Sequence, residues 1–378
     1  MFVLKSSSSN INKKFDNKMA SSNGRSGGGI VNTVYTWLIM IWNYIMSLLY
    51  ITKVITFDKT GISVINNSNS NNSNNNNNIL GEGAFSIVYR ASNTTNSVQY
   101  ALKKVLIQSA DNEYIVKTEI DAFCRFKHPN ILQLIDYNIN NKEGGIRIAY
   151  LLFPLIRNNS LRNMINNRIE SGKSTTWHKM KRINLYDTLV DFAAICSAFN
   201  VLHASNPSYV HQDIKTENIL IDDDGTPLLT DFGSVRLANV TINTRADALK
   251  IADEAAQYST MSYRAPELFD PTRGSVLDSR TDVWGIGCLL FAWWFGYSPF
   301  ECEFNDNDQI KVVDCSHLRV LAKTPKPLKP SNDDIIVLDL VQWICHKDHS
   351  TRPYTTDIIE KIKDITVKLP NARNHNNV

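Results

Sequence analysis

Cysteine is scarce in this chain, and its few cysteines do not cluster. The six of them stand at positions 124, 196, 288, 302, 315 and 345 of 378 residues, and no two form a Cys-x-x-Cys pair. A disulfide-rich secreted domain and a zinc module both need clustered cysteines, so the sequence excludes both classes. Reduced thiols in a cytosolic environment are expected instead.

An excess of charge of one sign is also missing. The chain has 40 Lys and Arg against 37 Asp and Glu, a formal net charge of +3. So small a net charge predicts no nucleic-acid partner, because proteins that bind nucleic acids usually have a strongly basic surface. The hydrophobic content of 43% over this length is enough for a folded domain with a substantial core.

Residues 30–52 contain no charged side chain over twenty-three positions. That length reaches the threshold for crossing a bilayer, and the Trp and Tyr residues in it suit a membrane interface. The polar residues fall on one face of a helix, which fits an interfacial helix or a self-associating spanning one: Asn32, Thr36, Asn43 and Ser47. We predict that this segment contacts membrane lipid. A helix docked on the folded domain is the alternative.

The flanks of this segment are low in complexity and bear on its topology. Residues 1–29 are rich in Ser, Asn, Gly and Lys and are predicted to be disordered, residues 66–78 are predicted to loop out, and residues 368–378 form a predicted flexible tail. The positive-inside rule would keep the N-terminal flank in the cytosol and carry the following domain across the membrane. A flat or re-entrant helix would avoid that conflict. The charges concerned are Lys5, Lys13, Lys14, Asp16, Lys18 and Arg25.

Two motifs bring together the groups that phosphoryl transfer from ATP requires. The run YVHQDIKTENIL contains Asp213, Lys215 and Asn218, and eleven residues after its last leucine comes Asp231 in a DFG triplet. A carboxylate must accept or steer the acceptor's proton, a cation must stabilise the moving phosphoryl group, and hard oxygen ligands must hold Mg²⁺. Asp213 and Lys215 are therefore the predicted catalytic residues. Asn218 and Asp231 are the predicted ligands of Mg²⁺, with Mn²⁺ as an alternative ion.

A glycine-containing run upstream, LGEGAFSIVYRA, fits a loop that covers the ATP phosphates. Small residues let backbone N–H groups approach phosphate oxygens. Lys103 and Ala101 follow in a β-prone run, where alternation places Lys104 on the opposite face of the strand. The predicted ATP contacts of this region are Leu80, Gly81, Glu82, Gly83, Ala84, Phe85, Ser86, Val88, Ala101 and Lys103.

In this order and spacing, the chain resembles a eukaryotic protein kinase from about residue 62 to about residue 367. The resemblance implies an α+β, bilobal fold with the apolar N-terminal helix outside the domain. A small antiparallel lobe of five strands and one main helix would span residues 58–156, and a larger, mainly helical lobe residues 157–367. The resemblance also pairs Glu119 with Lys103, and it places Pro154 and Ile156 against the adenine.

Three further residues have architectural roles in the family pattern. Glu267, in the Ala-Pro-Glu triplet that ends the activation segment, is expected to pair with Arg352. Asp282, on the central helix of the large lobe, is expected to anchor the catalytic loop. These residues are predicted to hold the fold and to take no part in the chemistry.

Within the kinases, the segments TMSYRAPELF and TDFGSVRLAN resemble the Numb-associated kinase family, most closely its small, lipid-anchored, Golgi-associated member. The resemblance implies a long activation segment that contains a helix, and residues 246–259 are rich in Ala and free of Gly and Pro, which favours a helix there. An ordinary flexible activation loop is the alternative. Lys215 and Thr260 favour Ser and Thr acceptors in protein substrates. The implied location is a membrane, on the Golgi or another endomembrane, with the kinase domain facing the cytosol.

The sequence departs from the family pattern at Gln212 and at Ser86, which replaces the third glycine of the phosphate loop. Many kinases have an arginine directly before the catalytic Asp, where it binds a phosphate on the activation segment, and Gln212 has no charge for this. Activation by that route is therefore not expected. The same two departures support the alternative function, a membrane-tethered pseudokinase scaffold. A non-protein acceptor is a third alternative, and Thr260 argues against it.

Overall fold

The computed structural model describes residues 54–66, 78–83, 86–141, 147–157, 160–171 and 183–370. The predicted membrane segment at 30–52 lies outside the described residues, as do the predicted disordered tail and nearly all of the Asn/Ser tract. Ala84 and Phe85, at the tip of the predicted phosphate loop, lie outside them as well.

The small lobe is an antiparallel sheet, which the described residues build from seven strands in the order β1-β2-β4-β5-β7-β6, with β3 paired to β4. The prediction of five strands is therefore wrong. One additional strand precedes the expected sheet, and two short strands pair with β4 where a single strand was expected. The strands are β1 (Val54–Thr56), β2 (Ser63–Asn66), β3 (Ile79–Glu82), β4 (Ser86–Asn93), β5 (Gln99–Ile107), β6 (Asp136–Asn141) and β7 (Arg147–Pro154).

The Asn/Ser tract separates β2 from β3, and both strands pair with the same neighbour. Asn66 at the end of β2 is opposite Ala91 of β4, and Ile79 at the start of β3 is opposite Tyr89 of the same strand. The two short strands therefore occupy successive positions along one edge of β4. The tract is inserted into what would otherwise be a single strand.

The hairpin of β1 and β2 belongs to the core of the small lobe, although β1 lies before the predicted domain start at residue 58. Phe57 is fully buried, in a cluster that includes Ile55 and Leu102 on the outer face of the sheet. The turn of the hairpin is tied to β6, because the backbone N–H and the hydroxyl of Thr60 each donate to Asp136 Oδ2 at 2.9 Å. The folded domain therefore includes residues from Val54 onward.

Helix α1 (Ala110–Arg125) lies against the inner face of this sheet. It begins at Ser109, whose hydroxyl accepts a hydrogen bond from the N–H of Asn112, a standard N-cap contact. Along β5, Val105 packs with α1 in the main core, whereas Leu102 lies in the outer cluster. Strand alternation therefore puts Lys103 on the side of α1 and Lys104 on the opposite side, as predicted.

The large lobe is mainly helical, with four short two-stranded ribbons among its described residues. The helices are α2 (Leu161–Ser171), α3 (Leu185–His203), α4 (Arg245–Tyr258), α5 (Arg280–Phe295), α6 (His317–Val320), α7 (Asn332–Ile344) and α8 (Thr355–Thr366). The ribbon strands are β8 (Tyr209–Val210), β9 (Ile219–Ile221), β10 (Pro227–Leu229), β11 (Arg236–Leu237), β12 (Val240–Thr241), β13 (Val276–Leu277), β14 (Cys302–Phe304) and β15 (Ile310–Val312). The α+β, bilobal fold is thereby confirmed.

Helix α3 is the one helix of the described residues that is long and apolar enough to cross a membrane. Its side chains Phe192, Ile195 and Phe199 are fully buried in the core of the large lobe. The core helix of a folded domain can have this length and composition as well, and the burial of its apolar side chains makes α3 a core helix of the domain.

The predicted pair of Glu267 and Arg352 is confirmed and buried. The two guanidinium nitrogens of Arg352 donate to the two carboxylate oxygens of Glu267 at 2.7 and 2.8 Å. Arg352 also donates to the backbone oxygens of His346 and Arg280, and its guanidinium lies 5.0 Å from the centre of the Trp284 ring. The pair joins the end of the activation segment to the base of the large lobe.

Removing the acid from this pair should destabilise the protein strongly. Arg352 has no exposed side-chain surface, so Glu267→Ala leaves a buried charge unpaired, at a cost of about 3–5 kcal/mol in the free energy of unfolding. The matched control is Glu303→Ala, which breaks the exposed pair with Arg319 and should cost less than about 1 kcal/mol. Urea denaturation measures both, and equal losses in the two variants would contradict the buried-pair argument.

Candidate active site

A cleft of about 480 Å³ lies between the two lobes and gathers the predicted site residues. Every predicted ATP-binding residue that the structure describes lines it, together with both predicted metal ligands. The members are Leu80, Gly81, Glu82, Gly83, Ser86, Val88, Ala101, Lys103, Glu119, Pro154, Ile156, Asn218 and Asp231. Ala84 and Phe85 lie outside the described residues, and Asp213 with Lys215 stands beside the cleft, joined to Asn218.

The sequence did not predict several of the residues that line the cleft. Leu220 and Thr230 stand next to the motif residues Asn218 and Asp231, so their position in the chain could have indicated them. Leu132, Ser160 and Asn163 also line the cleft. They come from loops and a helix start far from either motif, and only the fold brings them there.

Lys103 is the cation at the back of the cleft. Its ammonium contacts Glu119 Oε1 at 2.6 Å and Asp231 Oδ1 at 3.3 Å. Burial alone would lower the pKa of Lys103, but the negative charges of Asp231 and Glu119 outweigh it and raise the pKa above its usual value. The positive charge of Lys103 in turn lowers the pKa of Asp231. Lys103 is therefore protonated and Asp231 ionised at neutral pH.

Asp213 is held by three neighbouring side chains. Its Oδ2 accepts from Lys215 Nζ at 2.5 Å and from Asn218 Nδ2 at 3.2 Å. Its Oδ1 accepts from the hydroxyl of Thr260 at 2.7 Å and from the N–H of the same residue at 3.2 Å. Thr260 belongs to the activation segment, so its contact fixes the carboxylate from a second direction.

Gln212, which directly precedes Asp213, and Asp231 itself both have a backbone in the left-handed region, which is uncommon for residues other than glycine. Gln212 has φ 66° and Asp231 has φ 64°. Asp282 supports the first of these, because its carboxylate accepts from the backbone N–H groups of His211 at 2.6 Å and Gln212 at 3.0 Å. Its predicted role as anchor of the catalytic loop is confirmed.

Aromatic rings connect the two lobes behind the cleft. Phe123 of α1 packs edge to face on Phe232 of the DFG triplet, with ring centres 4.7 Å apart. Phe232 packs on His211 at 5.3 Å, and His211 on Phe199 of α3 at 5.8 Å. Such edge-to-face pairs are favourable beyond the area they bury. The position of α1 is therefore coupled to that of the catalytic loop.

The donor set fits a magnesium ion. Asn218 uses its amide nitrogen on the backbone oxygen of Asp213 at 2.8 Å, so its amide oxygen remains available as a ligand. The side chain of Asp231 is 44% exposed, and both residues line the same cleft. Two oxygen donors of this kind suit Mg²⁺, which in nucleotide sites takes its other ligands from phosphate and water.

The activation segment contains the predicted helix. Residues 246–259 were predicted to be helical, and α4 covers Arg245–Tyr258. It begins with a capping box, in which the hydroxyl of Thr244 accepts from the N–H of Asp247 at 3.1 Å and the carboxylate of Asp247 accepts from the N–H of Thr244 at 2.8 Å. The helix ends at Tyr258, two residues before Thr260, so it leads the chain to Asp213.

The comparisons with known proteins agree with this geometry. The protein kinase domain family matches residues 74–362. The human serine/threonine-protein kinase 16 is 35% identical over 291 residues, which cover 77% of this chain and 90% of that protein.

Two other organisms provide relatives of similar extent. A probable serine/threonine-protein kinase of Dictyostelium discoideum is 32% identical over 353 residues, covering 76% of this chain and 92% of the relative. Serine/threonine-protein kinase ppk13 of Schizosaccharomyces pombe is 29% identical over 317 residues, covering 75% and 88%. With its bilobal fold and inter-lobe cleft, the chain belongs to the eukaryotic protein kinases and is related to their serine/threonine kinases.

Proposed function

We propose that this kinase transfers the γ-phosphate of ATP to serine and threonine hydroxyls of proteins, with Mg²⁺ held by Asn218 and Asp231. One observation carries the proposal: the carboxylate of Asp213 is fixed by Lys215, Asn218 and Thr260 at the cleft that also contains Lys103. An acid held in this way stands where an acceptor hydroxyl must approach a bound nucleotide.

Each residue of the site then has a defined task. Asp213 orients the acceptor hydroxyl and takes its proton, and Lys215 stabilises the negative charge of the transferred group. Lys103, held by Glu119, binds phosphate oxygens at the back of the cleft. The metal ion, when bound, neutralises charge on the phosphates. These groups are joined by direct hydrogen bonds, so little reorganisation is needed at the moment of transfer.

The alternative, a pseudokinase scaffold, has weaker support. It depends on Gln212 and Ser86, and neither replaces a group that contacts phosphate or metal in the proposal. The backbone of Gln212 is fixed by Asp282, so the missing arginine leaves the geometry of the catalytic loop intact. An assembled set of phosphate-binding and metal-binding groups favours catalysis over scaffolding.

The first test of the proposal is Asp213→Asn. This change removes the charge and the base but keeps the shape, so the transfer rate should fall by at least about 100-fold. Nucleotide affinity should stay within a few-fold, because the predicted ATP contacts do not include Asp213. Radiolabel transfer to a basic protein and fluorescence titration with a nucleotide measure the two quantities.

The matched control is Asp223→Asn, which alters an exposed carboxylate paired with Arg157 in the same lobe. It should leave both the transfer rate and nucleotide affinity unchanged. Near-normal turnover in the Asp213→Asn variant would overturn the assignment of this residue. A wild type that transfers no label with either Mg²⁺ or Mn²⁺ would favour the scaffold.

We assign the chain to the Numb-associated branch of the kinases because its segments TMSYRAPELF and TDFGSVRLAN resemble that family. The helix in the activation segment, α4, supports this placement, since the resemblance implies such a helix. The contact of Thr260 with Asp213 supports transfer to serine and threonine. A link to secretory or endomembrane traffic belongs to the same proposal.

Phosphorylation of the activation segment should not be needed for activity. Gln212 offers no charge to a phosphate, and its side-chain oxygen is buried with no hydrogen-bond partner among the described residues. We expect phosphatase treatment to leave turnover within a few-fold. The predicted acceptors are Thr241, Thr244, Ser259 and Ser262, and mass spectrometry before and after treatment establishes which were modified.

A hundredfold drop after dephosphorylation would refute this expectation. Ser259 would then be the acceptor to replace first, because Arg264 donates from Nε to its hydroxyl at 2.8 Å and from Nη2 to its backbone oxygen at 2.9 Å. Ser262 is a poor acceptor by comparison, since it is buried.

Membrane attachment through residues 30–52 is the remaining part of the proposal. Apolar residues near the bilayer centre favour insertion by roughly 0.3–0.6 kcal/mol each, and the segment contains no charge to oppose them. Deleting residues 1–53 should therefore release a soluble, active kinase. The cut must not extend to residue 57, because Ile55 and Phe57 are buried in the small lobe.

Deletion of residues 1–29 is the control, since it keeps the apolar segment and should leave the protein in the membrane pellet. Carbonate extraction of the full-length chain separates the two modes: retention indicates a spanning helix and release a peripheral one. Full-length protein found wholly in the soluble fraction before any wash would contradict membrane attachment.

A further inference from the structure

Arg236 lies between two tyrosine rings that belong to different parts of the kinase. Its guanidinium carbon is 4.7 Å from the centre of the Tyr258 ring and 5.2 Å from the centre of the Tyr114 ring. Tyr114 is on α1 in the small lobe, Tyr258 is the last residue of α4, and Arg236 is on β11 shortly after the DFG triplet. One cation therefore contacts both helices at once.

The guanidinium of Arg236 is also held from its own segment. Its Nη1 donates to the backbone oxygen of Val235 at 2.7 Å and reaches that of Gly233 at 3.5 Å. No carboxylate of the described residues forms an ion pair with it. Its charge is stabilised by ring faces and carbonyl oxygens, and because Tyr114 is exposed the contact with that ring is of moderate strength.

Each tyrosine stands close in the chain to a residue of the active site. Tyr114 shares α1 with Glu119, which contacts Lys103 at 2.6 Å. Tyr258 comes two residues before Thr260, whose hydroxyl contacts Asp213 at 2.7 Å. A displacement of either helix would thus disturb a contact that the proposed transfer requires.

A phosphate site at the catalytic loop would need two available cations, and the other cation of the cleft beside Arg236, Lys250, is paired with Glu254 at 3.9 Å. Tyr114, Gln212 and Arg236 line a cleft of about 310 Å³ under α4. Gln212 is uncharged, and the guanidinium of Arg236 lies against the rings of Tyr114 and Tyr258. The ring contacts of Arg236 thus join α1 to α4 without a phosphate, whereas in many kinases a phosphate on the activation segment, paired with arginine, orders that segment.

We propose that Tyr114, Arg236 and Tyr258 form a clamp that holds α1 and α4 in the active arrangement without a phosphate. The three are positioning residues, which act on the reaction through Glu119 and Thr260. The inference rests on the proposed function, since it describes how that same site is kept assembled.

The test compares variants that keep the ring with variants that remove it. Tyr114→Phe and Tyr258→Phe retain the aromatic face, so kcat should stay within about twofold of wild type. Tyr114→Leu and Tyr258→Leu lose it, so kcat should fall by about fivefold or more with a smaller change in KM for ATP. Ring packing alone would separate the two pairs in the same way, so Arg236→Gln, which keeps both rings and removes only the cation, is measured beside them.

Tyr354→Leu is the matched control, because the Tyr354 ring contacts Arg280 at 5.0 Å in the large lobe by the same chemistry. Its kcat should equal that of wild type. Arg236→Gln should lower kcat as the leucine variants do, and adding either leucine change to it should cause no further loss. Leucine variants with wild-type kcat, or losses that multiply in the double variants, would overturn the clamp.

A second measurement keeps the clamp testable without activity. Amide hydrogen exchange in α4 should speed up in the leucine variants and in Arg236→Gln, and stay at the wild-type rate in the phenylalanine variants. Unchanged exchange in the leucine variants would overturn the clamp. A wild type that transfers no phosphate would count against the proposed function, and the exchange result would still decide the clamp.

Discussion

The buried carboxylate of Asp282 is the contact on which the catalytic geometry depends. It accepts the N–H groups of His211 and Gln212 and lies 3.0 Å from Nε2 of His203. A left-handed backbone at a residue such as Gln212 costs on the order of 1–3 kcal/mol, and hydrogen bonds to a charged acceptor offset that cost. Because Asp213 is the next residue, the direction of its side chain follows from this arrangement.

The support for Asp282 is a helix that is buried on all sides. Every residue of α5 from Thr281 to Phe295 is buried, so the helix cannot shift without opening the core of the large lobe. The pair of Glu267 and Arg352 fixes the end of the activation segment to the same base. The catalytic acid and the segment that contacts it through Thr260 therefore rest on one rigid foundation.

Lys103 plays the corresponding part between the lobes. Glu119 is 3% exposed and needs a cation, since a buried carboxylate without a partner is strongly destabilising. The same ammonium reaches Asp231 of the large lobe. The aromatic contacts from Phe123 through Phe232 to His211 follow the same path from α1 to the catalytic loop. The contacts that join the two lobes thus include the phosphate-binding groups themselves.

Much of the site was predictable because its residues stand at short, fixed spacings. Asp213, Lys215 and Asn218 lie within six positions and meet in the structure through direct hydrogen bonds. Glu119 required the family resemblance, since nothing local to it indicates a partner sixteen residues away. The helix at residues 246–259 was predicted from the family resemblance together with the local Ala-rich composition.

Other features depend on contacts between distant segments. Leu132 joins the cleft only because the lobes fold together, and Tyr114 meets Arg236 across more than a hundred residues of chain. The five-strand prediction failed because pairing decides the strands: β2 and β3 share one edge of β4, and β1 pairs ahead of them. No local pattern in the sequence reports that arrangement.

The central claim, that this chain is an active protein kinase for serine and threonine, is tested most directly by the chemistry of its product. Purified wild-type protein is incubated with ATP labelled at the γ-phosphate, Mg²⁺ and a basic protein, and the labelled product is hydrolysed to its amino acids. We expect the label on phosphoserine and phosphothreonine. Label found only on phosphotyrosine, or no transfer with Mg²⁺ or Mn²⁺, would contradict the claim.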